Sequence, residues 1–125
     1  KKIIFTEKAP APIGPYSQAV VSGNMLYTSG QIALHPETGE LVTGDIETET
    51  KQVMENMKAV LEAAGTTFEN VIKSTIFISN MDDFAKINGV YGAYFNEKTA
   101  PARETVQVAK LPKNVNVEIS MIAVL

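Results

Sequence analysis

The sequence contains no cysteine and a single histidine, His35. The lack of cysteine excludes disulfides, thiolate nucleophiles and cysteine-ligated zinc. A lone histidine also argues against a transition-metal site or a Ser-His-Asp triad. His35 lies in the turn-like stretch LHPETGE, and we interpret it as a solvent-facing turn residue.

Long apolar runs and basic clusters are also missing. No stretch approaches the roughly 20 apolar residues of a membrane span, and no signal peptide is visible. The formal net charge of -3 gives no general attraction to nucleic acid or to an anionic membrane. We therefore expect a soluble cytoplasmic protein with no nucleic-acid and no membrane partner. Its 125 residues, 45% hydrophobic and 20% charged, suit one domain over 1–125.

Arginine is nearly absent: of the eleven basic residues, only Arg103 is an arginine and the rest are lysines. A lysine carries a flexible point charge, whereas the arginine fork can grip a carboxylate or phosphate with two parallel hydrogen bonds. Arg103 is therefore a candidate ligand clamp, with a structural ion pair as the alternative.

Hydrophobic periodicity and turn residues predict the secondary structure. The clearest element is a helix, which has an apolar stripe, Asp45 as its N-cap and Gly65 at its C-terminal end. A second helix is capped by Asn80 or Asp82. In chain order the pattern predicts a hairpin turning at 23–24, a helix over 46–64, a strand over 71–79, the second helix, and strands over about 103–109 and 115–124.

This order of elements favours an α+β domain whose two helices cover one face of a sheet. Nothing else in the chain is available to cover the opposite face. An uncovered sheet face with apolar content predicts self-association.

Side chains alternate along the last two predicted strands. Arg103 and Thr105 share a polar face of one strand, and Glu118 lies on the polar face of the other. Two interpretations follow. Arg103 and Glu118 form a cross-strand ion pair of little energetic weight, or they supply an anion clamp and a general base.

Four more polar or small positions are candidate site residues. Tyr16 follows a proline and is either a packed aromatic or a ligand contact. Ser29 and Gly30 interrupt a strand, where glycine allows either close approach of a ligand or a bulge. Asn88 lies near the apolar face of the second helix and is either a satisfied polar group or a contact at the edge of a site.

The motifs IGPYSQA, YTSGQI, PAR, KLP and VEI, in this order and spacing, make the chain similar to the RidA family, also called the YjgF/YER057c/UK114 family. The similarity runs along essentially the whole chain. It implies a chorismate-mutase-like fold with a six-stranded sheet, and a homotrimer with sites between subunits. It also implies hydrolytic deamination of reactive 2-imino acids, such as 2-iminobutanoate and 2-iminopropanoate, without a cofactor or metal.

The resemblance also assigns roles to residues. Arg103 matches the substrate-binding arginine and Glu118 the glutamate that activates water. The matching positions that line the cleft are Tyr16, Ser29, Gly30, Asn88 and Thr105. Two positions depart from the family pattern. Thr105 replaces a frequent cysteine, and Glu104 replaces a small residue. By alternation, Glu104 is expected to share a buried face with Val106 and Val108.

Two other functions stay open. Some relatives are linked to purine regulation or translation inhibition, which implies a non-catalytic ligand-binding trimer. RNA cleavage is also reported for relatives, but an acidic chain with one histidine and one arginine gives it weak support.

Overall fold

The computed structural model describes residues 1–125 and contains six strands and two helices. The strands are β1 (Lys2–Ile4), β2 (Ala19–Ser22), β3 (Met25–Thr28), β4 (Val71–Ile78), β5 (Ala102–Gln107) and β6 (Val117–Val124). The helices are α1 (Ile46–Ala63) and α2 (Phe84–Gly92), and three short 3-10 turns lie at 68–70, 81–83 and 112–114.

All six strands form one sheet in the order β1-β2-β3-β6-β4-β5. Neighbouring strands are antiparallel except β4 and β5, which are parallel. Parallel neighbours need a crossover connection, and α2 supplies it. Both helices cover one face of the sheet, so the predicted α+β fold class is confirmed.

Helix α1 forms where the sequence predicts it. The Asp45 side chain accepts a hydrogen bond of 2.8 Å from the backbone N–H of Thr48, which satisfies one free donor of the first turn. Gly65 follows the helix with φ +83°, a conformation that other residues rarely adopt. Neither helix has the length and apolar content needed to cross a membrane.

The main core lies between the sheet and the helices, and a smaller cluster of Ile32, Leu34, Leu111 and Val115 packs against Phe77 on the opposite side of the sheet. Residues along β6 alternate regularly between buried and half-buried, so one side of the strand faces the helices. The main core cluster draws on α1, α2, β4 and β6, and its fully buried side chains include Val53, Met57, Ile76, Ile87, Val117 and Ile119.

The opposite sheet face, here called the open face, has no helix against it. A row of paired residues crosses it from Val20 through Tyr27 and Ile122 to Lys73. Tyr27 is 43% exposed on this face, and Val106 is 44% exposed. Exposed apolar side chains of this kind mark a surface suited to association.

Two features differ from the pattern expected of the sequence alone. Strand β1 was not predicted from periodicity, because three residues at a sheet edge give too short a signal. The last two strands are not neighbours in the sheet, since β4 lies between β5 and β6. A cross-strand pair between them is therefore impossible.

Candidate active site

The predicted site residues lie in two separate places. Tyr16, Ser29, Gly30 and Glu118 line one cavity of about 360 Å³. Arg103 and Asn88 line a second cleft of about 620 Å³. We call them the glutamate cavity and the arginine cleft.

Glu118 enters its cavity from β6. It pairs with Phe77 of β4, and its side chain lies on the open face of the sheet. The side chain is half-buried, and this loss of water contact raises the pKa of Glu118 above that of an ordinary glutamate. A carboxylate with a raised pKa in a cavity is a candidate general base.

The segment that carries Tyr16 and Ser29 is fixed by buried polar contacts. Gln18 is 1% exposed, and its side chain binds the backbone of three residues of the N-terminal loop. The hydroxyl of Ser29 donates to the carbonyl of Ser17 at 2.6 Å. The Tyr16 hydroxyl is free of strong contacts: its one hydrogen bond, from the N–H of Ile13, is 3.4 Å long. The wall of the cavity is therefore ordered, while the Tyr16 side chain is 49% exposed.

Arg103 lies on the helix-facing side of β5. It pairs with the buried Ser74 of β4, so its side chain passes under α2. One guanidinium nitrogen, Nη1, donates to the side-chain amide oxygen Oδ1 of Asn88 at 2.5 Å. The guanidinium carbon lies 5.6 Å from the centre of the Phe84 ring and 5.2 Å from that of Tyr91, within the range of cation–π attraction. These contacts hold the guanidinium in place and leave its other N–H donors available.

Tyr91 connects this cleft to the core. Its hydroxyl donates to the Ser74 hydroxyl at 2.9 Å. Burial raises the pKa of Tyr91, against weaker lowering effects from that hydrogen bond and from Arg103. Tyr91 therefore stays neutral at physiological pH and acts as a fixed aromatic surface beside the arginine.

Thr105 follows Arg103 on the same side of β5, since it pairs with the buried Ile76. Its hydroxyl oxygen is buried and has no hydrogen-bond partner. An unpaired buried hydroxyl is uncommon in native proteins.

The two groups lie on opposite faces of the sheet. Ser74, paired with Arg103, and Phe77, paired with Glu118, are three residues apart on β4 and so point to opposite sides. Arg103 and Glu118 form no ion pair. Within one chain they therefore cannot contact the same small ligand, and we call each group a half-site of the site predicted from the sequence.

Glu104 behaves differently from the expectation that it shares a buried face. The alternation is as predicted, but the face it shares with Val106 is the open face, where Val106 is 44% exposed. Glu104 forms an ion pair of 3.0 Å with Lys73 on the neighbouring strand. The carboxylate therefore has a partner without any local distortion of β5.

Three residues of these half-sites were not foreseen from the sequence. Phe84 and Tyr91 of α2 both lie within cation–π distance of Arg103, and Lys113 lines the glutamate cavity. The spacing of Phe84, Asn88 and Tyr91, four and then three residues, places them on one helix face and could have been used. Lys113 gives no such signal, because it lies in a 3-10 turn with φ +54°.

The fold and the two half-sites are those of an α+β protein that binds a small ligand, with a fixed arginine and a half-buried carboxylate. No group of three or more His, Asp and Glu side chains is arranged to bind a metal ion. Residues 6–125 match the family model described as Endoribonuclease L-PSP. The chain belongs to this family, which includes the RidA and YjgF proteins, as the sequence motifs predict.

Similar proteins agree over nearly the full length. The chain is 56% identical to a RutC family protein of Pyrococcus horikoshii, over 98% of this chain and 97% of that one. It is 50% identical to the 2-iminobutanoate/2-iminopropanoate deaminase of Escherichia coli K12, with the same coverage. Among solved structures, Escherichia coli TdcF with bound serine is 49% identical, with a TM-score of 0.93 over 100% of this chain and 99% of that one.

Proposed function

We propose that the protein is a hydrolytic deaminase of reactive 2-imino acids, such as 2-iminobutanoate and 2-iminopropanoate. The observation that carries the proposal is the pair of half-sites. One presents a guanidinium that is fixed on one side and has free donors on the other. The other presents a carboxylate of raised pKa in a cavity. An anion clamp and a general base are what this hydrolysis requires.

Arg103 would bind the substrate carboxylate with two charge-assisted hydrogen bonds and so fix the position of C2. Glu118 would take a proton from a water molecule as its oxygen attacks C2 of the imine. That proton passes to the nitrogen to give a carbinolamine; the remaining hydroxyl proton then also moves to the nitrogen, the C–N bond breaks, and ammonia leaves as the 2-oxo acid forms. Water supplies the oxygen, no electrons are exchanged, and Glu118 returns to its starting state. No cofactor is needed for this chemistry.

A complete site needs two copies of the chain, because the two half-sites lie on opposite faces of the sheet. When the arginine cleft of one copy meets the glutamate cavity of the next, each copy uses two different surfaces. Such head-to-tail contacts form a ring when the rotation between copies closes, and an open filament when it does not. We propose a homotrimer, in which the open face with Tyr27 and Val106 is covered by neighbouring copies.

Two relatives support this function. The Escherichia coli protein named 2-iminobutanoate/2-iminopropanoate deaminase is 50% identical over nearly the whole chain. The TdcF structure contains serine, a small molecule with the same α-carboxylate group as a 2-imino acid. A cytoplasmic location is consistent with substrates that arise in amino-acid metabolism.

The direct test is a coupled assay. Threonine dehydratase converts threonine to 2-iminobutanoate, semicarbazide traps this product, and trapping is followed by absorbance. We expect the purified protein to suppress trapping at catalytic concentration. A non-catalytic ligand-binding trimer, the alternative function, would bind 2-oxobutanoate in a titration but leave the rate of trapping unchanged.

A further inference from the structure

The sheet has an irregularity beside Glu118, between β3 and β6. Tyr27 pairs with Ile122, and the next bridge joins Gln31 to Ile119. Three residues, 28–30, therefore lie opposite two, 120–121. One extra residue on the β3 side is a β-bulge, a feature often found next to active sites.

The bulge is fixed on both flanks. On one side, the N–H of Met121 donates to the Thr28 hydroxyl at 2.9 Å, where a regular ladder would use a backbone carbonyl. On the other side, Gln31 and Ile119 exchange two backbone hydrogen bonds of 2.8 and 3.1 Å. In between, the N–H of Ser29 donates to the Gln18 carbonyl at 2.9 Å. The backbone at Gly30 consequently has little freedom to move away from β6.

Gly30 lies directly against the Glu118 side chain. A Cβ atom at Gly30 would be 2.7 Å from Cδ, 2.8 Å from Cγ and 2.9 Å from Oε1 of Glu118, all closer than real Cβ atoms come to other atoms. None of the other glycines has such a contact, and the nearest atom to a Cβ at Gly14 is 3.7 Å away. Gly30 is not among the glycines with positive φ, so space rather than backbone conformation requires glycine here.

We infer that Gly30 is a positioning residue for Glu118. Because Gly30 has no side chain, the carboxyl group of Glu118 can pack directly against the backbone of the bulge inside the cavity. This inference rests on the proposed function of Glu118 as the base. It adds to the interpretation of Gly30 suggested by the sequence, because the Glu118 side chain itself makes a close approach to this backbone. The same contact contributes to the burial of the carboxyl, and this burial raises the pKa of Glu118.

Gly30→Ala tests this inference. Because the flanks of the bulge are fixed, the new methyl group should rotate the flexible Glu118 side chain out toward solvent while the protein stays folded. We expect the pKa of Glu118, measured by carbon NMR of the labelled carboxyl, to fall toward the ordinary glutamate value. We expect kcat to fall by as much as about 10²-fold, with a much smaller change in KM. The acid limb of the pH–rate profile should move to lower pH with the pKa.

Gly89→Ala is the matched control, since a Cβ at Gly89 in α2 meets no atom within 4 Å. It should leave the NMR titration and kcat unchanged. An unchanged Glu118 pKa in Gly30→Ala would overturn the positioning role, and so would a folded Gly30→Ala variant with full kcat. The NMR titration needs no turnover. If the wild-type protein proves inactive, the proposed reaction fails while the titration still decides whether Gly30 positions Glu118.

Discussion

At the scale of single residues, the arginine cleft shows why the chain uses its one arginine at position 103. The guanidinium lies within cation–π distance of two aromatic rings, and it also donates to Asn88. A planar group can make these contacts together and still present donors to a ligand, which an ammonium group cannot do. Where a point charge is sufficient, as in the ion pair with Glu104, the chain uses Lys73.

Arg103→Lys should therefore keep the charge and lose the function. The lost charge-assisted hydrogen bond is expected to weaken binding of the substrate carboxylate by about ten- to a hundredfold. The coupled assay should show a strong loss of activity, and calorimetric titration should show weaker binding of inert 2-oxo acids. The melting temperature should change little, since Arg103 is exposed and makes no ion pair. Early melting combined with full activity and full oxo-acid binding would instead make Arg103 a structural residue.

Glu118→Gln separates catalysis from stability. Loss of a general base should lower turnover by about 10² to 10⁴-fold, with oxo-acid binding retained. Because burial raises the pKa of Glu118, the folded state holds this proton more tightly than the unfolded state. The ionised side chain thus destabilises the folded protein above its folded pKa, and this effect disappears below the unfolded pKa.

Urea denaturation checks the stability part of this prediction. At pH 7 the Gln variant should be at least as stable as the wild type, and the difference should shrink as the pH falls through the range of glutamate titration. A variant that is less stable at pH 7 would contradict a desolvated carboxylate. Surviving turnover would place water activation elsewhere, with the unpaired Thr105 hydroxyl as the next residue to test.

At the scale of elements, local signals predicted much of the fold. The boundaries of α1 and the hairpin turn at Gly23 agree with the sequence, because capping, periodicity and turn geometry involve neighbouring residues only. The alternation of Arg103 and Glu104 along β5 was also predicted correctly. What alternation could not give was the order of the strands. Only the insertion of β4 between β5 and β6 shows that Arg103 and Glu118 face opposite sides.

The bulge at 28–30 is another element-scale feature that the sequence left ambiguous. Ser29-Gly30 predicted either a bulge or close approach of a ligand. The structure shows a bulge, and the atom nearest to a Cβ at Gly30 belongs to Glu118. Register depends on contacts with β6, about 90 residues away in the chain, and no local pattern reports it.

Helix α2 permits a stabilising change. Gly89 lies inside this helix, is exposed, and has open space at its Cβ position. Glycine within a helix is less stable than alanine by roughly 0.5–1 kcal/mol. Gly89→Ala should raise the free energy of unfolding by about that amount in urea denaturation, with unchanged deaminase activity. A loss of stability would mean that another surface packs closely against this part of α2 in the assembled protein.

At the scale of the whole molecule, the exposed apolar surface and the two half-sites both favour association with further copies of the chain. The open face carries exposed apolar side chains, among them Tyr27 and Val106, which a neighbouring chain would cover. The one carboxylate that lines the arginine cleft, Glu97, is exposed, and the glutamate cavity contains Lys113 but no arginine. Association of copies would satisfy both, so we expect assembly and catalysis to depend on each other.

Mixed assemblies give the decisive test of this dependence. Arg103→Lys and Glu118→Gln copies are each expected to form trimers with little activity. In a mixed trimer, a site is intact when its arginine comes from a Glu118→Gln copy and its glutamate from an Arg103→Lys copy. Random mixing at equal concentrations places both wild-type residues in about one quarter of the sites, so unfolding and refolding the two variants together should restore about a quarter of wild-type activity.

The control is the same mixture without unfolding, which should stay inactive if the trimers exchange slowly. Light scattering on each sample shows whether trimers are present. If the refolded mixture forms trimers and remains as inactive as its components, the two residues do not come together across an interface. A monomer mass at micromolar concentration, together with an active wild-type protein, would contradict the shared site more directly, since one chain holds Arg103 and Glu118 on opposite faces of its sheet.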